Sequence, residues 1–197
     1  WGMDTAATGL ISRGQIAPVI IVGIVPGDRN SEYTPDHPAG MVGNYGNGAN
    51  YMRMVIQEVK PFVDARYRTR SDAQATGIGG SSLGGLIAFW GGIHNPGTFG
   101  RIAALSATLS WSNAIITRDV SALSTKVPVR VWFDRGTEEI DGGTPRSAVD
   151  DQLLQTMVSK GWVDGADVRY FLKTGAAHSE YWWARRVDLF LPFLFPV

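Results

Sequence analysis

The sequence predicts an α/β fold, with a mostly parallel sheet and helices on both faces. Two observations predict it. Apolar runs of strand length alternate with segments whose apolar residues recur at helical spacing, and no hairpin signal joins successive runs. One of the runs leads directly into a glycine-rich turn, residues 76–85, that opens a helix. The chain has 197 residues, is 44% hydrophobic and carries a formal charge of zero. That suits one domain, residues 1–197, with a sizeable core. No internal repeat, low-complexity segment or linker interrupts it.

The elements follow in order. Residues 3–13 read as a short amphipathic helix ended by Gly14. Residues 16–24 are β-branched and predict a buried strand, broken by Pro26-Gly27-Asp28. Residues 29–50 form a loop rich in Gly, Pro, Asn and Tyr, and loops of that length in compact domains often carry function. Residues 51–67 predict a helix through Met54, Val55, Val59, Phe62 and Val63, with a kink or restart at Pro61. A strand is expected over 73–81, and a helix over 82–91. A third strand, 101–106, precedes a polar and aromatic stretch, 107–113. A fourth strand is expected over 127–134, a helix over 144–160 and a fifth strand over 168–172. A closing helix, 180–191, carries Trp182 and Trp183 and is stopped by Pro192.

Composition excludes several classes. Lys and Arg together equal Asp and Glu at 18 each, so no basic surface for nucleic acid is implied. The longest apolar runs, such as 19–25, are too short to cross a bilayer. There is no cysteine, hence no disulfide, thiol catalysis or cysteine-ligated metal. That is compatible with either the cytoplasm or an exported protein, a secreted or periplasmic location being slightly preferred. The sequence opens at Trp1 with no signal-peptide pattern, which implies a processed, truncated or partly captured chain.

Gly80-Ser81-Ser82-Leu83-Gly84 has the form G-x-S-x-G, the nucleophile-elbow pattern of α/β-hydrolases. A sharp strand-to-helix turn needs nearly bare residues two before and two after the nucleophile. Ser82 meets this with Gly80 and Gly84, whereas Ser81 would be flanked by Gly79 and Leu83. A dinucleotide fingerprint starting at Gly77 would need a third glycine where Ser82 stands. A phosphate loop would need Gly-Lys-Ser/Thr where Gly84-Gly85-Leu86 stands. The bland alternative is a Gly/Ser turn with no chemistry.

A serine hydroxyl needs a base, and the base needs a carboxylate to hold its tautomer. The elbow pattern places them in the order Ser, Asp/Glu, His. Of the three histidines, His37 precedes the elbow and His94 fits a helix-end loop. His178 follows the last strand, where the base is required. After the fourth strand stand Asp134, Glu138, Glu139 and Asp141. Asp134 has Arg135 beside it as an ion-pair candidate, and the residues alone rank Glu138 and Glu139 equally. Trp111, Tyr181, Trp182 and Trp183 are candidates to line an apolar acyl or aromatic pocket. Tandem residues on a helix cannot face the same way, so at least one of Trp182 and Trp183 is expected in the core. Arg29 is a candidate partner for an anionic substrate group, with an ion pair to Asp28 or Glu32 as the alternative. No metal or cofactor is implied by histidines so spaced.

Five stretches together resemble the putative-esterase branch of the α/β-hydrolases, which includes esterase D-like enzymes, feruloyl esterases, enterobactin-type siderophore esterases and mycolyltransferases. They are residues 18–24, Arg29-Asn-Ser-Glu-Tyr33, residues 80–85, Gly136-Thr-Glu-Glu139 and His178-Ser-Glu-Tyr-Trp182. They fall in family order over nearly the whole chain. The family's acid occupies the fourth position of a Gly-Thr-x-Asp/Glu turn, which implies Glu139 here, with Ser82 as nucleophile and His178 as base. The resemblance implies hydrolysis of a small-molecule or carbohydrate-linked carboxylic ester through an acyl-enzyme. The alternatives are an acyltransferase with the same triad and a non-catalytic binding relative. One oxyanion donor is expected at the Leu83 amide. The family's second donor follows an earlier strand that this sequence does not contain. Residues outside 1–197, or a second chain, are therefore expected to complete the sheet. The loop 25–28 is the lesser alternative, since Pro26 has no amide hydrogen. The fragment alone is expected to be poorly active and to expose a sheet edge.

Overall fold

The structure, a computed structural model, describes residues 1–141, 144–145 and 147–197. Helix α1 (Met3–Ser12) buries Ala7 and Leu10 and ends where Gly14 turns at φ +66°. The following β-branched run is not a strand, contrary to expectation. Ile20, Ile21, Val22 and Val25 are 49, 42, 46 and 90% exposed. A strand exists only where a neighbour takes its N–H and C=O groups, and no described strand pairs with this run. Composition alone cannot supply that partner.

Within the long loop a short helix α2 (Arg29–Glu32) forms because the Asp28 carboxylate accepts the Asn30 and Ser31 amides. Helix α3 (Gly48–Met54) passes through one wide π turn, Val55–Val59, into α4 (Lys60–Arg66). The backbone stays helical on both sides of that turn. Pro61 thus falls just after a register slip that accommodates its missing N–H, and the helix is not restarted there. Ala73–Ala75 make a 3-10 turn capped by Asp72, so the next strand, β1 (Gly77–Ser81), is shorter than expected.

Helix α5 (Leu83–His94) follows β1 at once, then β2 (Arg101–Leu105) and α6 (Trp111–Ala122). Helix α6 has no counterpart among the expected elements, although Ile115, Ile116 and Val120 repeat at helical spacing on its buried side; before them, Ser112, Asn113 and Ala114 have left-handed backbone and set a kink after Trp111. Strand β3 (Arg130–Gly136) leads to a small antiparallel pair, β4 (Ile140–Asp141) and β5 (Thr144–Pro145). The sequence does hold a hairpin signal between them, Gly142-Gly143, which the expectation of no hairpin overlooked. Helix α7 (Ser147–Ser159), β6 (Val168–Lys173), α8 (Glu180–Ala184) and α9 (Val187–Leu194) complete the order. The closing helix is therefore two helices broken at Arg185-Arg186, and Pro192 lies inside α9 and does not end it.

The four long strands form one parallel sheet in the order β1-β2-β3-β6. Alternate residues of the central strands serve opposite layers. Ile102, Ala104, Val131 and Phe133 pack with Leu86 and Phe89 of α5, Ile116 of α6 and Leu153 and Met157 of α7. Ala103, Leu105 and Trp132 pack with Leu10 of α1 and Val187 and Phe190 of α9. Burial on both faces is why these strands read as continuous apolar runs. All four strands end on the same side, where Ser82, Ser106, Gly136 and the loop to His178 lie.

Candidate functional site

Ser82 sits between β1 and α5 at φ +56°, ψ −124°, a backbone conformation that non-glycine residues rarely adopt. Ser81 is an ordinary strand residue paired with Leu105. The turn is held from both sides: the Ser82 amide donates to the Leu105 carbonyl at 3.0 Å, and the Ser82 carbonyl accepts the Thr108 amide at 3.2 Å. Its tightness falls on one glycine. A Cβ on Gly80 would lie 2.4 Å from the Gly84 carbonyl oxygen, whereas one on Gly84 would meet only the Tyr33 ring at 3.6 Å. The flanking-glycine rule is thus strict before the serine and loose after it. Leu83 is the first residue of α5, so its N–H has no intrahelical acceptor and points out of the positive end of the helix.

On the other side of the sheet, two chain segments lock together. Glu138 and Thr137 donate their amides to the Ala176 and Lys173 carbonyls, each at 3.0 Å. The Gly175 amide donates to Thr137 Oγ1 at 2.9 Å. Gly136 permits this approach, because a Cβ there would come 2.0 Å from the Ala176 carbonyl oxygen. The result places Glu139 Oε2 2.9 Å from His178 Nδ1. Glu139 is buried and Glu138 is exposed, which separates the two glutamates that the residues alone ranked equally. Burial pushes the Glu139 carboxyl up. His178, Ser106, the Gly136 amide and Arg135 outweigh burial, and its pKa lies below the ordinary glutamate value.

Behind this pair is a buried charged cluster that sequence reasoning missed. Asp134 and Arg135 cannot pair, being neighbours on a strand and so on opposite faces. Arg135 binds Asp150, with Nη2 2.9 Å from Oδ1, and reaches Glu139 Oε2 at 3.4 Å. Asp134 pairs with Arg186 at 3.3 Å and accepts the Trp132 indole N–H at 2.9 Å. Burial raises the Asp134 carboxyl to about 6, outweighing Arg186 and Trp132. Ser106, at the end of β2 with φ +46°, joins the two faces. Its hydroxyl lies 2.6 Å from Glu139 Oε1, 2.9 Å from Trp183 Nε1 and 2.8 Å from Arg186 Nη2. Its place at a strand's carboxyl end was the available signal, but that signal does not single out one hydroxyl among several.

Other expected residues lie as follows. Trp183 is the core member of the tandem pair, 6% exposed, with its ring edge-on to His178 at 5.0 Å between centroids. Trp111 is also buried, packed on Tyr45 at 5.4 Å, with its indole N–H on Asp36 Oδ1 at 2.9 Å. Trp183 is thus the core tryptophan that the tandem pair was expected to supply, and both indoles are candidates for the wall of an apolar acyl or aromatic pocket only through their exposed edges. Neighbouring Ser112, Asn113 and Ala114 all have positive φ, and Ser112 Oγ donates to Asp36 Oδ2 at 2.6 Å. Arg29 lies 5.8 Å over the Tyr33 ring and pairs with neither Asp28, which caps α2 and holds Asn44, nor Glu32, which takes the Gly27 and Asp28 amides. Because Glu32 takes the Gly27 N–H, the loop 25–28 retains at most the Val25 amide as an oxyanion donor. The Asp141 side chain is outside the described set.

Glu139 and His178 are therefore joined directly, while no hydrogen bond links Ser82 to His178 among the described residues. Catalytic hydrogen bonds are often long in unliganded sites. Two shallow clefts of about 300 and 280 Å³, lined by Pro18–Ile20 with Tyr67 and Arg68, and by Met52, Ile56, Trp90 and His94 among others, involve none of the three. No group of three or more metal-binding side chains occurs among the described residues. No described helix is long and apolar enough to cross a membrane.

The comparisons with known proteins agree with this architecture. YbbA of Bacillus subtilis, itself uncharacterized, is 24% identical over 192 residues, covering 92% of this chain and 75% of that protein. An IroE-like serine hydrolase from Shewanella oneidensis superposes with a TM-score of 0.75 at 20% identity, over 98% of this chain and 65% of that one. The enterobactin esterase FES from Shigella flexneri, crystallised with enterobactin, gives 0.72 at 20% identity, over 95% of this chain and 44% of that one. The chain thus spans less than half the length of the enterobactin esterase structures it matches. The model of the family described as "Putative esterase" matches residues 1–188, and the chain belongs to that family.

Proposed function

We propose that the chain carries the site of a serine carboxylic-ester hydrolase acting through an acyl-enzyme. The observation that carries the proposal is the Glu139–His178 pair at the same end of the sheet as a serine held in a strained elbow. Ser82 Oγ attacks the ester carbonyl carbon, and His178 Nε2 takes its proton. Glu139 holds the Nδ1–H tautomer and stabilises the imidazolium. The Leu83 amide, at the positive end of α5, donates to the oxygen that becomes negative. Collapse of the tetrahedral adduct expels the alcohol, to which His178 returns the proton. Water then repeats the sequence on the acyl-enzyme and releases the acid.

Family membership supports an esterase, and relatives named for enterobactin and ferulic acid support a small-molecule or carbohydrate-linked ester as substrate. The test is labelling with a serine-directed fluorophosphonate, followed by mapping of the adduct. Label on Ser82, lost in Ser82→Ala together with hydrolysis of an acyl-ester panel by about a thousandfold or more, is the expected result. A chain that hydrolyses esters as well without Ser82 would overturn the assignment.

A further inference from the structure

We propose that Ser106 is a positioning residue for the acid–base pair, a role that rests on the proposed function of Ser82, Glu139 and His178. The argument is a count of hydrogen-bonding capacity. A serine hydroxyl has one proton and two lone pairs. Trp183 Nε1 at 2.9 Å and Arg186 Nη2 at 2.8 Å can only donate, and they occupy both lone pairs. Among the described residues, the single Ser106 proton then has one acceptor in reach, Glu139 Oε1 at 2.6 Å. The hydroxyl is thereby a fixed donor and cannot turn its lone pair toward the carboxylate.

Glu139 gains a divided carboxylate. Oε1 receives Ser106 and the Gly136 amide at 2.7 Å, while Oε2 is left to His178 and the longer contact from Arg135. Arg135 and His178 face Glu139 directly, and Asp134, Asp150 and Arg186 stand behind it. Ser106 is wholly buried, so water cannot replace it. Its position is also over-determined: the backbone sits at φ +46°, and its amide donates to the Asp134 carbonyl at 3.0 Å and to Asp134 Oδ1 at 3.1 Å. A strained residue so firmly held fits a positioning task.

Ser106→Gly and Ser106→Ala test this together. Both remove the hydroxyl, but glycine relaxes the left-handed backbone and alanine does not, so their thermal stabilities differ. The measurement is the rate of fluorophosphonate labelling of Ser82 as a function of pH, with melting temperature recorded beside it. Loss of a charge-assisted donor slows labelling by about tenfold in both variants. It also moves the acid limb of the profile to higher pH by the same amount in both, because Glu139 then takes up a proton more readily. A folded variant with labelling within about twofold of the parent and an unmoved acid limb, or losses that follow melting temperature, overturns the inference. Failure of the parent chain to label at Ser82 overturns the triad assignment and this role with it.

Discussion

The two flanks of the sheet are built differently. On the β3–β6 side, the groups around Glu139 are cross-connected: two guanidinium groups, three carboxylates, an imidazole, a serine and two indoles lie in one cluster, in which Arg186 Nε and Nη1 have no hydrogen-bond partner among the described residues. On the β1 side, the β-branched run 18–25 has no ladder and exposes much of its apolar surface. The elbow stands between them. Apolar content is therefore a poor guide to rigidity here, and cross-connection is a better one. Glu139 and His178, the proposed acid and base, are held by a braced scaffold, whereas Ser82 is held by its strained backbone and by main-chain hydrogen bonds to Leu105 and Thr108.

The sharpest way to break this contrast is at Gly136. A methyl there would overlap the Ala176 carbonyl, forcing apart the segments that carry Glu139 and His178. Gly136→Ala is expected to cost about 4 kcal/mol or more in urea denaturation, and to abolish labelling of Ser82. Mild destabilisation with labelling intact would show the two segments to be only loosely coupled.

Next come two isoleucines of similar chemistry in the two settings. Ile102 is fully buried in β2, and Ile102→Ala is expected to cost about 2–4 kcal/mol. Ile21 lies in the exposed run, and Ile21→Ser should change stability by only about 0.5 kcal/mol. A loss at Ile21 as large as that at Ile102 would mean that the run is packed in solution.

A pH titration of stability separates two carboxylates of opposite sign. Asp134 is raised from 3.8 to about 6, so the folded state holds its proton longer than the unfolded chain. Stability then falls as pH rises across that interval. Glu139 is lowered below 4.5; its contribution is present above that value and is lost as pH falls through the folded pKa. Asp134→Asn keeps the side chain neutral at every pH and takes away the group that titrates. It should therefore remove the decline between pH 3.8 and about 6. Retention of that decline in the variant would assign it to another group.

What was legible in the sequence follows the same division. Helix and strand alternation, the Ser82 elbow and the proposed order Ser, Glu, His rest on local pattern and chain order, which a sequence carries, whereas the choice of Glu139 over Glu138 rested on the family resemblance. The buried cluster was not legible, because Ser106, Asp134, Asp150 and Arg186 are far apart in sequence and meet only once strand register is set. The run 16–24 was misread because strand propensity is a preference for a paired surface, and pairing is not a property of the run. The indole partners of Trp111 and Trp183, Asp36 and Ser106, are likewise long-range, and no spacing reveals them.

The smallest expected effect tests the elbow itself. Gly80 and Gly84 look equivalent in the sequence, yet only Gly80 faces backbone. Its added Cβ would lie 2.4 Å from the Gly84 oxygen, whereas that of Gly84 rests against the Tyr33 ring at an ordinary 3.6 Å. Gly84 is the second residue of α5, where alanine restricts the unfolded chain and favours the helix. Gly84→Ala should therefore stabilise by about 0.5 kcal/mol and label at Ser82 nearly as fast as the parent. Gly80→Ala should lose both folding stability and labelling. Equal damage from the two substitutions would mean that the turn is closed by steric demand on both sides, with the Tyr33 ring unable to yield.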